Sequence, residues 1–199
     1  MSICLRSTVG WARCCSRLLK FRIQIRKPDW SEPRLQQRLP TALEKRILAL
    51  ATAKEISTLL FEDVAVGDEL PELVKNPDTK QLVRYAGASQ DFVAIHYDQN
   101  VAAAAGHPKV IIHGALKSAW LGELVTGWMG SGGRLLELDV SYRMIDFPDD
   151  VATCVGKVTD ARIENGVGLV ELEIGLRQTD GTISTPGRAL VSLPSREIL

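Results

Sequence analysis

Asp91, His96 and Asp98 fall in one short segment, YAGASQDFVAIHYD, at residues 85–98. Two carboxylates around an imidazole are the groups that proton transfer requires. A carboxylate can hold a water and take its proton, and an imidazole titrating near neutrality can share or return it. Spacing decides whether they can cooperate. A helix would set Asp91 and His96 about 140° apart, and a strand would send them to opposite faces. They meet only if the chain turns between them, with a helix ending near Asp91 and an irregular FVAI segment leading to His96. The same residues also fit an aspartate that caps a local turn and a histidine bonded to a backbone carbonyl. Asp98 directly precedes QNVAAAA and reads as the N-cap of a short helix.

His113-Gly114 is the second chemical feature, at the start of a long apolar stretch. Unpaired N–H groups and the dipole of a helix start favour developing negative charge. A glycine lets a ligand approach the backbone closely. Together they form a candidate oxyanion site for a carbonyl oxygen. Tight packing of the helix start is the other reason for a glycine at 114.

These residues depend on the elements that carry them. DTKQLVRYAGAS reads as a helix capped by Asp78 or Thr79, with Leu82, Val83 and Ala86 on one side. A short strand is expected before it, after a turn at Gly67-Asp68. Asp98 to Gly106 reads as a short helix. GALKSAWLGELVTGWM, residues 114–129, reads as a long helix, apolar nearly all round, that stops near Gly130. The pattern then changes to strands in RLLELDVSYRMI, DVATCVGKVTDARI, VGLVELEIGLRQ and TISTPGRALVSL. Asn165-Gly166 and Asp180-Gly181 are hairpin turns between the last three. Pro186-Gly187 is expected to interrupt or bulge the last strand. Strands grouped after helices indicate α+β, with an antiparallel sheet curling around one buried helix.

Composition narrows the function class. The formal net charge is +0 over 199 residues, which argues against a nucleic-acid reader. No apolar run reaches the roughly 18 residues of a membrane span. The four cysteines, Cys4, Cys14, Cys15 and Cys154, form no zinc spacing and no disulfide framework. Cys154 reads as a small core residue. No metal or redox cofactor is expected.

Residues 1–56 read as an extension ahead of a domain at 57–199. Arg6, Arg13, Arg17, Lys20, Arg22, Arg26 and Lys27 precede the first acidic residue, Asp29. That basic start resembles a mitochondrial transit peptide and also fits a solvated tail. The expected compartment is cytoplasmic, or the mitochondrial matrix if the start is a transit peptide. Pro28, Pro33 and Pro40 mark a linker, and TALEKRILALATAKEIS reads as a helix with Thr41 and Glu44 as a capping box.

YAGASQDFVAIHYD resembles the signature of the MaoC-like (R)-specific enoyl-CoA hydratases and 3-hydroxyacyl-thioester dehydratases. VIIHGAL resembles that family's second motif, and FEDVAVGDEL its usual opening. The resemblance covers roughly residues 60–195, in order. It implies a hotdog fold, a curved antiparallel sheet wrapped around a long central helix. It implies hydration of trans-2-enoyl thioesters to (3R)-3-hydroxyacyl thioesters, with Asp91 and His96 as the catalytic pair. The N–H of Gly114 would polarise the thioester carbonyl, with His113 beside it in substrate binding. An acyl-CoA or acyl-carrier-protein substrate is implied, and a dimer of hotdogs, either a homodimer or a heterodimer with a second hotdog chain. The usual motif runs Gly-Asp-x-Asn-Pro-(Ile/Leu/Val)-His; here Gln90, Val93 and Ala94 replace the glycine, asparagine and proline. Two other readings stay open. One is a hotdog thioesterase with Glu123 as its helix-borne acid, and the other is the non-catalytic half of a heteromeric dehydratase.

Overall fold

The computed structural model describes residues 59–196 and the backbone of Lys20–Gln24. The expected linker and helix within residues 28–57 lie outside the described residues, as does the start of the basic segment. The elements in chain order are β1 (Lys20–Gln24), β2 (Leu73–Lys75), α1 (Thr79–Ser89), α2 (Gln99–Ala104), α3 (Gly114–Met129), β3 (Arg134–Ser141), β4 (Ala152–Glu164), β5 (Val167–Arg177) and β6 (Ile183–Leu193). Among the described residues, one sheet holds six strands in the order β1-β3-β6-β5-β4-β2. Every pairing is antiparallel. This is the α+β hotdog arrangement, an antiparallel sheet packed on one long helix.

Alternation in the sequence builds the inner face. In β5, Val170, Leu172, Ile174 and Leu176 are buried, while Glu171 and Glu173 are exposed. The period of two sends alternate residues to opposite faces. From α3, Leu116, Trp120, Leu121, Leu124, Val125 and Met129 meet this surface in the core. Leu121 is fully buried, and burying a leucine that completely contributes about 1.5–3 kcal/mol. Cys154 is also wholly buried, and that burial pushes its thiol up to about 12.

Two expectations need correction. α3 is not buried all round: Ala115, Ala119, Glu123, Thr126 and Gly127 are exposed, whereas Lys117 and Ser118 are buried. Alanines count as apolar in a periodicity but bury so little area that they can face out. The second correction concerns β6, which runs unbroken through Pro186-Gly187. The β3–β6 ladder stops at Val140↔Gly187, so the missing donor of Pro186 breaks no bond to β3. Gly187 lets β3 come close, because a Cβ there would lie 2.6 Å from the Asp139 carbonyl oxygen. The irregularity sits nearby, where Leu176↔Thr185 is followed by Arg177↔Ile183 and Ser184 is left over.

Candidate active site

α1 delivers Asp91. Asp78 caps its start by accepting a hydrogen bond from the Gln81 N–H at 2.7 Å. Its far end is turned by Gln90, whose φ is 62°. Left-handed backbone suits glycine and strains most side chains, so the motif's usual glycine has a physical reason at this position. The turn releases Asp91 from the helix, and a 3₁₀ turn over Ala94–His96 follows. His96 is thereby brought back toward Asp91. Several bonds brace the turn without the proline. The Tyr97 hydroxyl donates to the Phe92 carbonyl at 2.9 Å, and the Asp98 N–H to the Ala94 carbonyl at 2.7 Å. Val93 contributes through its backbone, with its N–H 3.4 Å from Asp91 Oδ1. Asp98 caps α2 by accepting from the N–H groups of Asn100 and Val101.

The tautomer of His96 follows from its partner. Its Nδ1 lies 2.7 Å from the Ile111 carbonyl oxygen. A carbonyl only accepts, so Nδ1 carries the proton and Nε2 is left as the basic nitrogen. His113 stacks beneath this ring, with centroids 3.7 Å apart and planes 19° apart. Tyr85 meets His113 edge-on at 5.0 Å. His113 Nε2 lies 3.4 Å from the backbone carbonyl oxygen of Asp91, and its buried Nδ1 has no hydrogen-bond partner among the described residues. Burial above all, and then the nearby His96, hold the His113 ring below the usual histidine range. His113 is fully buried and packs against the His96 ring.

Asp91, His96 and His113 offer ligand atoms within 4.8 Å of one another. That cluster does not fit a shared metal ion. A metal–imidazole bond of about 2.0–2.1 Å lies in the ring plane, and two stacked, nearly parallel rings have no common in-plane point. The arrangement fits proton transfer to and from one water instead.

Gly114 is the first residue of α3. Its N–H has no protein acceptor among the described residues. The packing reason for a glycine holds here, because a Cβ at 114 would lie 2.9 Å from Cε2 of Tyr142. Glu123 does not join the group. It is exposed, lies more than two helical turns beyond Gly114, and pairs with Lys75 of β2 at 2.7 Å.

Sequence reasoning missed the buried groups beside Gly114. Lys117 Nζ donates to Asp146 Oδ2 at 2.7 Å and to the Met144 carbonyl at 2.9 Å. Asp146 Oδ1 accepts from Gln178 Nε2 at 2.9 Å, and the Asp146 carbonyl accepts from the Ile112 N–H at 2.9 Å. The segment carrying Ile111, which orients His96, is thus tied to the ion pair. A lysine inside the apolar run of α3 is the one signal that pointed there.

The family model for the MaoC like domain matches residues 54–178. An (R)-specific enoyl-CoA hydratase from Aeromonas caviae is 28% identical over 123 residues, which is 61% of this chain and 90% of that protein. Among solved structures, an (R)-hydratase from A. caviae involved in PHA biosynthesis aligns with a TM-score of 0.62 at 25% identity, over 67% of this chain and 99% of that one. A chain of the ChsH1-ChsH2 complex from Mycobacterium tuberculosis aligns with a TM-score of 0.59, also at 25% identity, over 65% of this chain and 98% of that one. With the family model spanning more than half of its residues, and the same fold in these relatives, the chain belongs to the MaoC-like dehydratase family.

Proposed function

We propose that this chain hydrates trans-2-enoyl thioesters to (3R)-3-hydroxyacyl thioesters and catalyses the reverse dehydration. The observation that carries the reading is the meeting of Asp91 and His96 at a turn that no regular element provides, beside a helix start whose Gly114 N–H has no acceptor among the described residues. The Gly114 N–H polarises the thioester carbonyl and takes up the charge of the enolate. Asp91 and His96 Nε2 hold one water. They remove its proton as its oxygen attacks C3, and one of them returns a proton to C2. The water adds across the double bond, so no oxidant or reductant is needed. The stereochemical assignment and the thioester class rest on the similarity to the (R)-hydratases.

The domain at 57–199 carries the chemistry in this reading, and a second hotdog chain covers the open side of the site as homodimer or heterodimer. The likeness to a chain of the ChsH1-ChsH2 complex supports the heteromeric form. The joint presence of Asp91, His96 and Gly114 makes this chain the active half.

Incubation with crotonyl-CoA should consume the enoyl group without releasing free CoA. The product should give no signal with an (S)-specific 3-hydroxyacyl-CoA dehydrogenase. Asp91→Asn and His96→Ala should each slow hydration by roughly 10²-fold or more. The double variant should be little worse than the poorer single, because groups serving one proton transfer are not additive. Release of free CoA would move the assignment to a thioesterase. Near-wild-type hydration by either single variant would return these residues to a capped turn.

A further inference from the structure

Tyr142, which directly follows β3, lies against Gly114 and has no part in the proton transfers above. A Cβ at 114 would stand 2.9, 3.1 and 3.1 Å from its Cε2, Cδ2 and Cζ. The ring therefore fills the space that a side chain at 114 would take, next to the N–H assigned to the carbonyl. Its position is held from two directions. Its hydroxyl is 2.5 Å from Ser118 Oγ. The Lys117 ammonium stands 5.6 Å from the ring centroid, and Asp146 and the Met144 carbonyl fix that ammonium in turn. Burial raises the Tyr142 phenol above its ordinary value, against a smaller opposing effect of Ser118, so the hydroxyl stays neutral.

We propose that Tyr142 is a specificity-determining wall that excludes thioesters bearing a substituent on C2. The proposal rests on the hydratase reading, which places the thioester carbonyl at Gly114. An oxygen accepting from the Gly114 N–H lies about 2.9 Å from that nitrogen, and C2 is two bonds from that oxygen. The reacting end of the acyl group therefore lies beside the ring. An unbranched enoyl group can lie flat against it. A methyl on C2 needs space that the ring occupies, and the clamped ring cannot swing away. One extra methyl group in a fitted apolar site is discriminated roughly 10- to 200-fold.

The test compares kcat/KM for crotonyl-CoA with that for its 2-methyl analogue tigloyl-CoA, using the full chain, Tyr142→Phe and Tyr142→Leu. The crotonyl-to-tigloyl ratio should be high in the full chain and in Tyr142→Phe, which keeps the ring. It should fall about 10-fold or more in Tyr142→Leu. The ratio is the readout because the lower intrinsic reactivity of the methylated enoyl group cancels between variants. An unchanged ratio in Tyr142→Leu, or Tyr142→Phe behaving like Tyr142→Leu, overturns the proposal. Calorimetric binding of butyryl-CoA and 2-methylbutyryl-CoA makes the same comparison without chemistry, and equal affinities in the full chain also overturn it. Discriminating binding without hydration of either enoyl-CoA would sink the hydratase reading and leave the wall standing. Hydration of both at an unshifted ratio would sink the wall alone.

Discussion

His96 and His113 stack too closely for both rings to carry a proton without strong repulsion. Of the two, His113 is fully buried, and that burial holds its ring below the usual histidine range. This has a consequence for stability. Above about pH 6.5 His113 is neutral in both the folded and unfolded chain and contributes no pH dependence. As pH falls through that value, the unfolded chain binds a proton that the folded protein refuses. Stability therefore falls until pH passes the lowered folded value, with a limiting slope of about 1.4 kcal/mol per pH unit for one proton. His113→Phe keeps a flat ring and removes the titration, so denaturant unfolding from roughly pH 7 to 5.5 should show a shallower decline in the variant. Equal slopes would rule His113 out as the source. That Asp91 and His96 could meet only at a turn was legible in the sequence, because neither regular period brings them together. That they would meet was carried by the resemblance of the segment to the family's signature, since the spacing fitted a capped turn as well. The burial of His113 was not legible. A histidine before a helix-starting glycine has the same neighbours in sequence whether it faces a ligand or lies under another ring.

At the scale of elements, α3 is fastened by apolar packing, by the exposed pair of Glu123 with Lys75 of β2, and by a buried ion pair of Lys117 with Asp146 in the loop after β3. Lys117 and Asp146 have side-chain exposures of 3% and 4%, so water screens little of their interaction. Removing one partner of such a pair leaves a buried charge and typically costs about 3–5 kcal/mol, while replacing both with apolar groups is often neutral. Lys117→Met should accordingly lower unfolding stability by about 3 kcal/mol or more. Lys117→Met with Asp146→Leu should recover most of that loss. A single variant within about 1 kcal/mol of the parent would mean that the pair is solvated in the protein. Helix and strand positions were legible because their periods, 3.6 and 2, are local. Asp78, Asp98, Asn165-Gly166 and Asp180-Gly181 marked caps and turns for the same reason. The ion pair was not local. Its members are separated by all of β3, and no periodicity links a lysine on a helix to an aspartate in a later loop. The continuity of β6 was hidden similarly, since Pro186 is tolerable only because the β3 ladder ends one position away.

At the scale of the molecule, residues 59–196 are joined end to end by hydrogen bonds. The Phe61 N–H donates to the Pro194 carbonyl at 2.9 Å, and the Glu62 carboxylate accepts from Ser195 Oγ and from the Arg196 N–H. Both ends of the 59–196 unit are thereby joined, and every residue assigned to the reaction lies between them. β1 adds only an outer strand, with Lys20–Gln24 paired to Glu137–Ser141 of β3. That strand falls in the basic segment read as an extension, where composition gave no sign of it. Five residues with two cations read equally well as tail or strand, and an edge strand needs no apolar face of its own. A chain beginning at Ser57 should therefore fold and hydrate crotonyl-CoA at a rate within a few-fold of the full chain. What it should lose is protection along one edge, since open edges leave a row of unpaired N–H groups. Hydrogen exchange should quicken at the β3 amides that face β1 and stay slow in β5 and β6, whose bonds are internal to the sheet. Loss of activity together with faster exchange throughout the sheet would show that the early segment belongs to the folding unit, and the boundary near residue 57 would have to move toward the N-terminus.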